Sequence, residues 1–165
     1  MLITPAASAD TEAISAIYNH YVATSHATFE LKPIDPDEMG RRVIDTVSQG
    51  YPFLVCHDQD QVLGYAYGRP FRPRPGYRHA VEVAVYVHPD HQGKGIGKRL
   101  YDQLLPTLFT NGAHSLIATI ALPNEASVRM HENFGFVKSG HFREVGRKFD
   151  RWIDVGYWQF LHHKD

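Results

Sequence analysis

Residues 81–105 read VEVAVYVHPDHQGKGIGKRLYDQLL, and this stretch constrains the fold more than any other. Valines alternate at 81, 83, 85 and 87, the period of a half-buried strand. A polar loop follows, with glycines at 93, 95 and 97. A helical pattern then begins at Lys98, with Leu100, Tyr101, Leu104, Leu105 and Leu108 on one face. A strand, a glycine loop and a helix in that order form an anion cradle. The glycines let the backbone turn and approach closely, successive N–H groups converge, and the helix N-terminus adds a partial positive charge. The spacing departs from two known phosphate loops. One needs two glycines separated by four residues and then Lys-Ser/Thr, whereas Lys98-Arg99 follows Gly97 here. The dinucleotide fingerprint needs G-x-G-x-x-G, and Gly93-Lys94-Gly95-Ile96-Gly97 is one residue short in its last interval.

A chain of 165 residues, 43% of them apolar, can bury a core as one domain spanning 1–165. Its formal net charge of −1 gives no electrostatic reason to expect nucleic acid or an anionic membrane as partner. Cys56 is the only cysteine, so no internal disulfide can form; it lies in the apolar run Phe53-Leu54-Val55-Cys56 and reads as a buried thiol. The pattern of a secretory leader and long apolar runs are both lacking, so a cytoplasmic location is expected. The histidines are scattered, and His162-His163 sit in a polar tail, so no metal site is expected.

Helix and strand signals alternate along the chain, which argues an α/β layer structure. A first helix is predicted over residues 8–22, with Ser8 as cap and Ile14, Ile17, Tyr18, Tyr21 and Val22 as its apolar stripe. A second starts at Asp35-Pro36, with Met39, Val43 and Val47 facing inward and Gly50 ending it. Residues 53–57 and 62–68 read as a hairpin, whereas the prolines of residues 69–76 predict irregular structure. Pro106 should kink or end the helix that begins at Lys98. Residues 115–120 form a strand, 124–134 a short helix closed by Gly135, and 137–142 and 153–160 two further strands.

The pattern Gln92-x-x-Gly95-x-Gly97 after a valine-rich strand resembles the acetyl-CoA pyrophosphate loop of the GNAT acyltransferase superfamily. Ile17-Tyr18-Asn19-His20-Tyr21, Thr24-Ser25 with Phe29, Val85-Tyr86-Val87, Asn124 with Ser127-Val128-Arg129-Met130-His131-Glu132, and Asp154-Val155-Gly156-Tyr157-Trp158-Gln159 are similar to the phosphinothricin N-acetyltransferase family within it. The likeness spans nearly the whole chain, in the family's order and spacing. It implies a mixed, mostly antiparallel central sheet flanked by helices. It also implies acetyl-CoA as cosubstrate without a metal, and often a homodimer. The implied acceptor is the α-amino group of a small amino acid such as phosphinothricin, methionine sulfoximine or methionine sulfone.

The resemblance assigns the pyrophosphate to the backbone of Gly93, Lys94, Gly95, Ile96, Gly97 and Lys98, and the pantetheine amides to the main chain of Val85, Tyr86 and Val87. Main-chain pairing of that kind is physically reasonable, because an extended amide chain satisfies sheet-edge donors and acceptors. Asn124 matches a cofactor-contacting asparagine and can also cap its helix.

Amine acetylation needs a free amine, and an α-ammonium has no lone pair at neutral pH. Glu82, acidic in an otherwise apolar strand, is the candidate general base that also binds the amine; alternatively it is a solvated strand residue. His131 stands where many superfamily members place a tyrosine that protonates the leaving thiolate, and it reads either as that acid or as a structural histidine. Phe29, Arg72, Arg74, Pro75, Gly76 and Tyr77 match substrate-pocket positions, the arginines offering planar donor forks to carboxylate, phosphinate or sulfone oxygens. Two other functions share the fold: acetylation of another small amine or a protein N-terminus, and non-catalytic acyl-CoA binding.

Overall fold

The computed structural model describes residues 1–162; His163 of the polar tail lies outside the described residues. In chain order the elements are β1 (Leu2–Pro5), α1 (Thr11–Thr24), α2 (Pro36–Ser48), β2 (Phe53–Asp58), β3 (Gln61–Pro70), β4 (Ala80–Val87), α3 (Ile96–Thr110), β5 (Ser115–Leu122), α4 (Glu125–Asn133), β6 (Val137–Lys148) and β7 (Arg151–Leu161). The strands form one sheet in the order β1-β2-β3-β4-β5-β7-β6. Every neighbouring pair is antiparallel except β4 and β5, which run parallel. The sheet is thus mixed and mostly antiparallel, flanked by helices as the family resemblance implied.

The alternation along β4 decides which face sees which helix. Val81 and Val83 are buried with Leu100, Tyr101, Leu104 and Leu108 of α3. Tyr86, on the opposite face, packs against the cluster of Ile14, Ile17, Tyr18 and Val22 from α1 with Val43 from α2. Among the described residues no helix is long and apolar enough to cross a membrane.

Several boundaries differ from expectation for identifiable reasons. Ser8 does not cap α1: residues Ser8–Asp10 form a 3-10 turn, and the Asp10 carboxylate accepts from the Ala7 N–H at 2.8 Å. Asp35 does cap α2, accepting from the Glu38 N–H at 2.7 Å. Val47 is exposed, because each step of four residues turns about 40° past a full revolution, so a third member of such a row drifts off the inner face. Pro106 does not end α3. It lies on the solvent side, where water can serve the carbonyl of Asp102 that it leaves unpaired.

The stretch expected to be irregular from residue 69 instead begins as strand, with Arg69 facing Glu82 and Pro70 facing Val81 at the end of β3. A shift in register between Phe142 and Gly146 breaks the alternation of β6 and hid its second half from the sequence pattern. A tight turn with positive φ at Phe149 and Asp150 then leads into β7. β1 has four residues, too few to display a period.

One feature of the sheet matters more than these. β4 and β5 pair only where residues 80–82 face residues 115–117. Beyond Glu82 the two strands part, while β5 continues to Leu122 paired with β7.

Candidate active site

The parting of β4 from β5 leaves a gap inside the sheet, and strand chemistry says which main-chain groups line it. Backbone groups alternate sides along a strand. The Ala80 carbonyl accepts from Phe71 and the His88 N–H donates to Leu63, both on the β3 side. The Tyr86 carbonyl also faces β3, since a Cβ built on Gly64 would lie 2.8 Å from it. The even residues therefore serve the β3 ladder, and Val83, Val85 and Val87 turn their N–H and C=O toward the gap. The Val87 carbonyl already accepts from the Tyr21 hydroxyl at 2.5 Å. The main chain of Tyr86 is thus committed to β3; among the described residues, Val85 and the N–H of Val87 are turned to the gap without a partner there.

The glycine loop closes the far end of β4. Gly93 and Gly95 have φ of +72° and +77°, values that L side chains rarely adopt, and Gly95 starts α3. The Arg99 N–H bonds to the Gly95 carbonyl, so the N–H groups of Ile96, Gly97 and Lys98 precede the first intrahelical bond. Gly97 is required for a different reason. A Cβ there would come 2.9 Å from the Met130 sulfur and 3.8 Å from Val85 and Val87, so its absence lets α3 sit against α4 and β4. The side chains of Lys94 and Lys98 bind the Asp90 carbonyl and the Asp102 carboxylate. Asn124 caps α4, its Oδ1 accepting from the Ser127 N–H at 3.2 Å, and lines a cleft of about 570 Å³ with Leu122, Pro123, Val128, Trp152 and Asp154.

Glu82 stands where the gap opens. It is the last residue of β4 paired to β5, and its Oε1 accepts from Arg69 Nη2 at 2.8 Å. Its side chain is 14% exposed and that of Arg69 is 52% exposed, so a largely covered carboxylate carries an accessible guanidinium on its outer side. The arrangement combines a main-chain slot, an anion cradle at one end of it and a carboxylate at the other.

Such an arrangement fits a long, thin thioester with a pyrophosphate at one end, and the similarities agree. Residues 3–156 match the acetyltransferase (GNAT) domain. The chain belongs to the GNAT acetyltransferase family. It is 39% identical to a phosphinothricin N-acetyltransferase of Streptomyces coelicolor, over 95% of this chain and 94% of that one. It is 38% identical to an L-methionine sulfoximine/L-methionine sulfone acetyltransferase of Salmonella typhimurium, over 96% and 93% of the two chains. An acetyltransferase from Salmonella typhimurium solved with its cofactor acetyl-CoA superposes with a TM-score of 0.94 at 38% identity, covering 97% of this chain and 92% of that one. The chain is an acetyl-CoA-dependent N-acetyltransferase.

Within this GNAT domain His131 is buried, with 3% of its surface exposed. Its Nδ1 lies 2.8 Å from the Ser127 carbonyl, which can only accept, so the Nδ1 carries the proton and Nε2 accepts from the Tyr101 hydroxyl at 3.0 Å. Burial lowers the imidazole pKa, opposed by the bond to Ser127, and raises that of Tyr101, so a neutral ring meets a protonated phenol. The ring packs edge-on against Tyr101 and Phe136. Both nitrogens are engaged, Nδ1 within α4 and Nε2 in the bond that ties α4 to α3.

The substrate-pocket candidates divide into two groups. Arg72, Arg74, Pro75, Gly76 and Tyr77 occupy the exposed loop between β3 and β4. There Arg72 lies 4.2 Å over the Phe71 ring and bonds the Phe71 carbonyl, and Tyr77 meets Phe71 edge-on. Phe29 lies on the loop after α1, against Gly146 of β6, where an added Cβ would come within 2.3 Å of its ring.

Sequence reasoning missed what fixes that loop. Lys148, 4% exposed at the end of β6, donates to the carbonyls of Ser25 at 2.7 Å and Thr28 at 2.8 Å. The Thr28 and Tyr18 hydroxyls share a bond of 2.7 Å, and the Tyr18 ring packs edge-on against Tyr86 on the Glu82 face of β4. Arg69 was missed as well. Only the register of β3 against β4 reveals that it faces Glu82.

Proposed function

We propose that this chain transfers the acetyl group of acetyl-CoA to the α-amino group of small amino acids, of the phosphinothricin, methionine sulfoximine and methionine sulfone type. The observation that carries this reading is the position of the Glu82 carboxylate at the fork of β4 and β5, beside the Arg69 guanidinium. The substrates named for the two relatives support the choice of acceptor.

Acetyl-CoA supplies an activated acyl group on a thioester. The chain's residues do the remaining work. The N–H groups of Ile96, Gly97 and Lys98 hold the pyrophosphate at the start of α3, and the main chain of Val85 takes an amide of the arm. Asn124 closes this side of the site. Glu82 attracts the substrate ammonium and accepts its proton, directly or through a water, which frees the lone pair for attack. Its Oε1 is engaged by Arg69, so Oε2 is the oxygen offered to the amine. His131 acts as a positioning residue that fixes α4 against α3. Arg72, Arg74 and Tyr77 meet the acceptor's polar end from their loop, and Phe29 lines its apolar wall.

Glu82→Gln should retain acetyl-CoA affinity in calorimetry but lose at least about 10²-fold in rate, consistent with the loss of a general base. Its residual rate should climb with pH as free amine accumulates. A normal kcat at pH 7 would refute the assignment. Coenzyme A release against a panel of amino acids, other amines and a peptide with a free N-terminus tests the acceptor class.

The finer setting is part of the same proposal. Phe142, Val145, Phe149 and Trp152 expose apolar side chains on β6, β7 and their turn, which supports a homodimer, to be tested by sedimentation. The single continuous sheet supports one domain spanning 1–165, and a cytoplasmic location is proposed with it.

A further inference from the structure

We infer that Arg69 binds the α-carboxylate of the acceptor, so that Arg69 and Glu82 together read the zwitterion. This rests on the amino-acid reading above and gives Arg69, there only the neighbour of Glu82, a contact of its own with the acceptor.

The two charged side chains project from directly opposed positions of β3 and β4, Arg69 facing Glu82, on the same side of the sheet. Nη2 of Arg69 lies 2.8 Å from Oε1 of Glu82. In an α-amino acid the amine nitrogen and the carboxylate carbon are about 2.5 Å apart by standard bond lengths. A positive and a negative head held side by side are the complement of a zwitterion whose own charges are adjacent, with ammonium toward Glu82 and carboxylate toward Arg69.

The hydrogen-bond capacity allows this without breaking the pair. A guanidinium carries five N–H donors in a planar fork. Among the described residues one of them is used, the bond to Oε1, while the arginine side chain remains 52% exposed. The unused donors can take a carboxylate while Nη2 stays on Oε1. The alternative is that Arg69 merely holds Glu82 in place. The donors left exposed give Arg69 the capacity for the second role, and the two roles make different predictions for an acceptor without a carboxylate.

The test compares methionine sulfone with 3-(methylsulfonyl)propylamine, which keeps the side chain and amine and lacks the carboxylate. Each substrate is measured with the wild-type enzyme and with Arg69→Gln, and the variant-to-wild-type ratio cancels the difference in amine basicity. Loss of a charge-assisted hydrogen bond predicts a roughly ten- to hundredfold fall in kcat/KM for methionine sulfone, carried by KM. The propylamine loses only what Arg69 supplies through Glu82, so its fall should be smaller by about tenfold or more, and Arg69→Lys should recover part of the difference, since it keeps the charge but not the fork.

Equal losses on both acceptors would overturn the proposal and leave Arg69 acting only through Glu82. No loss on either would overturn it too. A wild-type enzyme that acetylates the propylamine as well as methionine sulfone would refute the assignment together with the amino-acid reading. Wild-type selectivity for methionine sulfone that survives Arg69→Gln would refute the Arg69 assignment alone.

Discussion

The Tyr21 hydroxyl donates to the Val87 carbonyl across 2.5 Å and accepts from the Gln92 side chain at 3.0 Å. One phenol thereby joins α1 to the end of β4 and to the start of the glycine loop. Tyr21→Phe removes a net contribution of about 0.5–1.5 kcal/mol from that junction. The expected result is a roughly two- to tenfold weaker acetyl-CoA affinity with little change in kcat. Calorimetry on the purified variant measures the first, and an unaltered Kd would show that the junction does not shape the slot.

Gly95 and Gly97 should fail differently when replaced. Gly95→Ala forces a side chain into the left-handed region, at a cost of about 1–2 kcal/mol, and tilts the N–H groups of the cradle. Gly97→Ala drives a methyl group into the Met130 sulfur instead. Adding Met130→Ala should then restore acetyl-CoA binding to the Gly97 variant and not to the Gly95 variant. Recovery in both would mean that backbone conformation is not what Gly95 supplies.

His131 predicts a pH dependence of stability. Its folded pKa is lowered by burial from an ordinary value of 6.5, so on acidification the unfolded chain takes up the proton first. Stability is therefore undiminished above about pH 6.5 and declines as the pH drops below it. Urea midpoints between pH 7 and pH 5 should show this slope in the wild type and a shallower one in His131→Asn. Identical slopes would remove His131 as its source.

Arg72→Ala and Arg74→Ala test the exposed loop. An arginine that meets anionic or sulfone oxygens contributes about 1.5–3 kcal/mol, or some ten- to hundredfold in kcat/KM. Acetyl-CoA affinity should be unaffected, because the glycine loop sits at the other end of β4. Wild-type rates across the whole amino-acid panel for both variants would make the loop plain surface.

Lys148→Met leaves the carbonyls of Ser25 and Thr28 without this donor, at about 1–3 kcal/mol for the buried Thr28 carbonyl and less for the half-buried Ser25 carbonyl. The chain should melt earlier. Because the loop carrying Phe29 loosens, KM for the acceptor should also rise while that for acetyl-CoA holds. A lower melting temperature with both KM values intact would confine Lys148 to stability.

How far the sequence reveals these features depends on whether they are local. The valine alternation in β4, the leucine face of α3 and the Asp35-Pro36 cap are written in consecutive residues, and each element forms where its pattern lies. The cradle glycines are legible for the same reason. Features made by distant residues are not. Arg69 meets Glu82 only because β3 and β4 pair in one register rather than its neighbour, and a slip of one residue would place it on the opposite face. Lys148 reaches Thr28 across 120 positions of chain. His131 shows the opposite case: its place in the motif allowed an acid, and only the bonds at both nitrogens reveal what the ring is used for.

An unpaired strand edge is ordinarily a hazard, because any extended polypeptide can zip onto it and start aggregation. The edge between β4 and β5 escapes that hazard by being indoors. β3 and β7 flank it, Tyr21 of α1 leans on it from one side and Gly97 of α3 from the other. A peptide strand, which carries side chains on alternating faces, would have to seat them against the helices packed on both sides of the sheet. A slender arm of spaced amides passes. The shape of the opening is a sieve as well as a binding site, and it lets the enzyme keep a reactive main chain without adhering to its neighbours.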